Sequence, residues 1–158
     1  MHNNERASQK TIEVLNRLFA DGLQFTVATA RSWLTAARTI NGLQLSLPVV
    51  IYNGTALVDP KSGKTIRVNY FPPDVREQIA SVLQENHVSP IVYAFINGRE
   101  QFSFLQDQIT PGMRMFLDAR RKDPRLRPVK NRQELLEGDV FYFNCINDRR
   151  KTEPLVLE

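Results

Sequence analysis

The stretch Phe25-Thr-Val-Ala-Thr-Ala-Arg-Ser32, FTVATARS, joins an apolar run (Leu23, Phe25, Val27) to an amphipathic segment from Trp33 to Ile40. The run reads as a strand over Leu23–Ala28 and the following segment as a short helix over Ser32–Ile40. In an open parallel sheet, ligands bind outside the carboxyl ends of the strands, where the next helix directs its free N–H groups. The joint has the residue types for an anion. Thr29 offers a hydroxyl at the strand end, Ala30 is small enough for close backbone approach, and Arg31 carries a planar charged fork. Ser32 suits a helix N-cap. On spacing alone, capping and ligand binding account equally well for the two hydroxyls.

Working outward, Ser8–Ala20 reads as a helix, with Ile12, Val14, Leu15, Leu18 and Phe19 recurring at spacings of three and four. Asp21-Gly22 ends it. Pro48–Tyr52, PVVIY, is a continuous apolar strand of the kind buried on both faces of a parallel sheet. The opening of the chain therefore alternates α-β-α-β, which predicts parallel pairing of the two strands through a right-handed crossover. The second strand ends at Asn53-Gly54, so Asn53 and Gly54 are expected beside Thr29 on one sheet edge. An ordinary Asn-Gly turn explains the same two residues.

The pattern then changes. Ala56–Asp59 and Thr65–Asn69 flank Pro-Lys-Ser-Gly-Lys as a hairpin, and Pro72-Pro73 opens a helix reaching about Asn86. Ile91–Ile96 and Gln101–Leu105 form a second hairpin across Asn97-Gly98. Thr110–Lys122 reads as a helix, Asn131–Glu137 as a helical turn, Asp139–Ile146 as a strand, and EPLVLE at the end as the opening of a helix. Residues 1–60 are therefore expected to form a partial parallel α/β core. Residues 61–158 are expected to form an α+β unit, incomplete at its C-terminal end.

Composition narrows the function classes. No apolar run approaches the roughly 20 residues needed to span a bilayer, and the N-terminus lacks the apolar core of a signal peptide. A single cysteine, Cys145, excludes an internal disulfide and a cysteine-based zinc site; it reads as a small buried hydrophobe, and a cytoplasmic location follows. The net charge of +4 is uneven: Met113–Arg132 holds eight basic residues against Asp118 and Asp123. That run reads as a solvated helix face followed by a proline-punctuated loop. The other reading is a non-enzymatic module binding RNA or another anion through the 114–132 surface, which the lack of aromatics among Arg120–Arg132 disfavours. His2 and His87 have no partner at catalytic or ligand spacing. Asp139 reads as a strand-start residue and Asp148 as a turn or helix-start residue.

Taken in order from Lys10 to Ile66, the helix, FTVATARS, the second helix and LPVVIYNGTALVDPKSGKTI resemble the Cof-type phosphatases of the haloacid dehalogenase superfamily. In that family a strand ends in T-G-R or T-A-R, a second ends in N-G-A, and a hairpin leads to an α/β cap. The resemblance implies a HAD-like Rossmannoid core followed by a cap domain. It implies that Thr29 binds the transferring phosphoryl group, with Arg31, Asn53 and Gly54 at the mouth where substrate enters. Ala30 stands where glycine is commoner. The family's reaction passes through an aspartyl-phosphate and needs D-x-D-G-T before the first helix, a later lysine and G-D-x-x-N-D. This sequence has no aspartate before Asp21 and neither later motif. The chain is therefore expected to be a fragment, inactive alone, of an enzyme acting on a small phosphorylated metabolite. Magnesium is expected for the complete family member, and no tightly bound metal for this chain. The family's missing first strand would leave the Leu23–Ala28 edge exposed, an invitation to self-association. No membrane or nucleic-acid partner is expected.

Overall fold

The computed structural model describes residues 6–156. The chain divides into two units, Met1–Asn69 and Tyr70–Glu158.

The first unit opens with α1, Gln9–Ala20. Its N-cap Ser8 accepts the Thr11 N–H, and its end is closed by the Asp21 N–H donating to the Arg17 carbonyl and the Gly22 N–H donating to the Phe19 carbonyl. Ile12, Leu15 and Phe19 are half-buried, whereas Val14 and Leu18 are exposed. Side-chain hydrogen bonds seat the helix as well: Asn16 donates to the Gly42 carbonyl and accepts the Gln44 N–H, both at 2.9 Å. Phe19 stacks on Phe25 with centroids 5.5 Å apart.

Next come α2 (Trp33–Thr39), β1 (Val49–Ile51), β2 (Ala56–Val58) and β3 (Thr65–Val68). The three strands form an antiparallel sheet in the order β1-β2-β3. This corrects two expectations. Leu23–Ala28 is not a regular strand, and its parallel pairing is one bridge, Ala28 to Val50. The apolar run of β1 has its ladder on the other side, antiparallel to β2. The parallel contact is still specific: Val50 donates to Val27 at 2.9 Å and accepts from Thr29 at 3.0 Å, while the Thr26 hydroxyl donates to the Pro48 carbonyl at 2.6 Å. Ala36, Leu45, Val49, Ile51, Tyr52, Ala56 and Val58 make the buried core of this unit.

The second unit holds α3 (Pro73–Glu85), β4 (Ile91–Ile96), β5 (Arg99–Leu105), α4 (Pro111–Asp118), β6 (Leu126–Val129), α5 (Arg132–Leu135), β7 (Asp139–Asn144) and α6 (Arg149–Thr152). Its sheet runs β6-β5-β4-β7, antiparallel except for the parallel β5–β6 pair. The Asn97-Gly98 turn is as expected, both residues having positive φ. β6 corrects the loop expected after α4. Pro128 removes one donor, but β6 is an edge strand and tolerates that loss. The helix expected over Thr110–Lys122 is shorter: Thr110 accepts the Met113 N–H as N-cap, and the helix ends before Ala119. Register separates the two sheet faces. Val92, Ala94, Ile96, Val129 and Val140 pack with Ala80, Leu135 and Leu136, while Tyr93, Phe102 and Phe141 form an aromatic group on the sheet. Among the described residues no helix is long and apolar enough to cross a membrane.

Candidate phosphoryl-binding joint

Four backbone-directed hydrogen bonds build the joint. The Thr29 N–H donates to Val50 at 3.0 Å, and the Thr29 carbonyl accepts the Asn53 N–H at 3.1 Å. The Arg31 carbonyl accepts the Tyr52 N–H at 3.2 Å. The Arg31 N–H donates to Thr29 Oγ1 at 3.2 Å, closing a small turn over Ala30. The segments ending in Thr-Ala-Arg and Tyr-Asn-Gly are thus laced together, and Thr29, Arg31, Asn53 and Gly54 are brought to one place. A hydroxyl that accepts a backbone N–H still has its own proton to donate. For Thr29 that proton has no partner among the described residues.

The lacing requires an unusual backbone. Tyr52, Asn53 and Gly54 all lie in the left-handed region, with φ of 51°, 54° and 99°. Glycine adopts this freely and asparagine tolerates it, but an aromatic residue does so at a cost of about 1–3 kcal/mol. Tyr52 is held there by burial, being 3% exposed. Asn53 and Gly54 are exposed, and Thr29 and Arg31 are half-buried. Ser32 is buried and occupies the N-cap of α2, but its side chain caps no backbone N–H; its Oγ lies 3.3 Å from Thr35 Oγ1.

None of Thr29, Ala30, Arg31, Asn53 and Gly54 bears a carboxylate, so these residues do not fit a magnesium ion. Among the described residues no three His, Cys, Asp or Glu side chains are grouped to hold a metal. Asp139 opens β7, and Asp148 caps α6 by accepting the Arg150 N–H. His87 sits in the turn after α3 at a φ of 54°, and His2 lies outside the described residues. Cys145 is half-buried, and burial pushes its thiol pKa up.

The basic run is locally compensated. Arg120 lies 3.6 Å from the centroid of the Phe116 ring. Arg121 pairs with Asp118, Arg125 with Glu100 and Asp123, Arg127 with Glu137, and Arg132 with Glu77. The Arg125 side chain, donating to Asp123, holds that carboxyl below the ordinary aspartate value. A depressed folded-state pKa stabilises above the unfolded value of 3.8, and the gain is lost as pH falls through the folded value. The urea midpoint of the second unit should therefore drop as pH falls below about 4. Asp123→Asn should lower the midpoint at pH 7 and flatten the acid limb, as followed by near-UV circular dichroism. An acid limb unchanged in Asp123→Asn would contradict this assignment.

Backbone hydrogen bonds bring Thr29 and Arg31 together with the Tyr52-Asn53-Gly54 turn. Residue pattern did not reveal the left-handed Tyr52, since nothing in PVVIYNG marks which residue turns. It also missed the cleft in the second unit described below, whose lining is scattered between Ala80 and Lys151.

A family model described as haloacid dehalogenase-like hydrolase matches residues 1–142. Among solved structures, a haloacid dehalogenase-like hydrolase from Bacteroides thetaiotaomicron is similar at 16% identity and a TM-score of 0.69, covering 98% of this chain and 57% of that one. A second Bacteroides thetaiotaomicron protein, described among phosphatases of the HAD superfamily, gives 18% and 0.64 over 96% and 53%. A haloacid dehalogenase-like hydrolase from B. subtilis gives 19% and 0.66 over 96% and 60%. At such identities the likeness establishes the fold. The chain spans just over half the length of these structures. No curated protein matches the sequence.

Proposed function

The chain belongs to the haloacid dehalogenase-like hydrolase family, and on that premise we propose that it carries the phosphoryl-gripping part of a Cof-like phosphatase site. The observation that carries this reading is the lacing of Thr29–Arg31 to Val50–Asn53, which leaves the Thr29 hydroxyl proton unused beside the Arg31 backbone. Thr29 donates to a phosphoryl oxygen, Arg31 and Asn53 orient the substrate, and Gly54 lets it approach the backbone. The substrate class is a small phosphorylated metabolite, and the setting is cytoplasmic. Residues 1–60 are the partial core and residues 61–158 the cap domain.

Gripping is not transfer. Hydrolysis by the family route needs a carboxylate nucleophile in line with the phosphorus, and the joint presents none. Magnesium, proposed for the complete family member, needs carboxylate ligands that these residues do not supply. This chain alone is therefore inert. Leu23, 46% exposed, and the single bridge made by Leu23–Ala28 support self-association along that edge. One preparation tests both points. Size-exclusion chromatography with light scattering should give a mass above the monomer, and the same fraction should not turn over a generic phosphate ester with magnesium. Turnover above blank would refute the inertness, and a monomer with Leu23–Ala28 amides protected from exchange would refute the association.

A further inference from the structure

The second unit contains a cleft of about 490 Å³, within the range of roughly 300–1,000 Å³ typical of small-molecule sites. Strand directions create it. β4 begins, and β5, β6 and β7 end, at the same margin of the sheet, as the pairs Ile91–Asn144, Val92–Ser103 and Leu105–Val129 show. The loops leaving that margin enclose the cleft together with the end of α3 and part of α6.

Three observations give the cleft a chemical character. Its apolar lining includes Val88, Leu105 and Leu135. Its lining charges are mostly positive, with Lys130, Arg132 and Lys151 against Asp107. Arg132 is committed to Glu77, Gln84 and Ser81 and so serves as a fixed wall. The ammonium groups of Lys130 and Lys151 have no partner among the described residues, although Glu134 lies close to Lys130, accepting its backbone N–H. The third observation is independent of charge. Ser89, which lines the cleft, is 7% exposed, and its Oγ has no hydrogen-bond partner among the described residues. A buried hydroxyl left unpaired is destabilising unless something else pairs it.

We propose that this cleft binds a small anionic metabolite, with Lys130 and Lys151 recognising its carboxylate or phosphate, Ser89 pairing a polar atom, and the apolar lining receiving its short carbon body. The proposal does not rest on the function assigned to Thr29.

The test is an amide-resolved NMR titration of the ¹⁵N-labelled chain with orthophosphate and, separately, with succinate. It is run on the wild type and on Thr29→Val, which removes the joint's hydroxyl and leaves the cleft intact. Saturable shifts at Val88, Ser89, Gln108 and Asn131 are expected with at least one probe, and they should persist in Thr29→Val. Response to orthophosphate alone marks a phosphate ligand, and response to succinate alone a carboxylate; either supports the site. Lys130→Gln combined with Lys151→Gln should weaken binding by about tenfold or more, as loss of charge-assisted contacts does. Ser89→Ala should weaken it severalfold without lowering the melting temperature. The proposal is overturned if neither probe gives saturable shifts in the cleft, or if the lysine variant binds as the wild type does. Shifts confined to Thr29–Arg31 and Asn53–Gly54 would likewise overturn it while leaving the phosphoryl reading standing.

Discussion

Gly138→Ala should destabilise the second unit by about 3 kcal/mol or more, enough to leave a unit of this size marginal. Gly138 sits just before β7 at a φ of 84°. An alanine there first incurs the left-handed penalty of about 1–2 kcal/mol. It also meets fixed atoms: its Cβ would fall inside contact distance of the Phe95 carbonyl oxygen and 2.8 Å from Ile96 Cγ1. Both belong to β4, which is paired on both sides, so neither can withdraw without disturbing the ladder. The Gly138 carbonyl also accepts from Arg76 Nη1 at 2.6 Å, so moving the glycine instead would break that bond. Gly98→Ala supplies the control. Its φ is 73° and an added Cβ meets nothing within 4 Å, so only the left-handed backbone cost of about 1–2 kcal/mol applies. Urea denaturation followed by far-UV circular dichroism separates them. Equal losses in the two variants would show that β4 yields and that the clash is not real.

Phe102→Ala is expected to cost about 3–5 kcal/mol. Phe102 is fully buried and stacks on Tyr93 at 5.2 Å between centroids, with the Phe116 ring edge-on at 6.3 Å. Removing the ring opens a void that Tyr93, Phe116 and Phe141 are too constrained by the sheet and α4 to fill. Phe102→Leu keeps most of the volume and should cost less than about 1.5 kcal/mol. A second readout exists in Tyr93, whose phenol is pushed up to about 12, chiefly by burial. Water entering beside it in Phe102→Ala should bring its titration down toward the ordinary value of 10.0. An unchanged Tyr93 titration together with a small stability loss would mean that the neighbours collapse into the space.

Much of this was legible in the residues because local rules and tertiary packing agree. Ser8 and Asp21 bracket α1, Asn97-Gly98 turns β4 into β5, and Thr110 starts α4, each through chemistry confined to a few neighbours. Departures occur where distant partners decide. Leu23–Ala28 has the pattern of a strand, but strand structure needs a continuous ladder, and here one bridge to Val50 is all that forms. β6 was obscured by Pro128 and by Arg127. The strand forms because Phe104 and Leu105 present a parallel edge and because Arg127 finds Ser103, Glu134 and Glu137. The joint was legible as residue types in order: Thr29, Arg31, Asn53 and Gly54. Its lacing was not, because carbonyl and N–H pairing across that distance leaves no trace in composition.

Orthophosphate binding at residue 29 tests the central claim most directly. Titrated into the labelled chain, phosphate should shift the amides of Thr29, Ala30, Arg31, Asn53 and Gly54 saturably. Thr29→Val should abolish those shifts while leaving the Val50 and Tyr52 amides at their native positions. Amides at the joint that stay silent up to the highest phosphate concentration, or that respond identically in Thr29→Val, would contradict the assignment of this joint as a phosphoryl site.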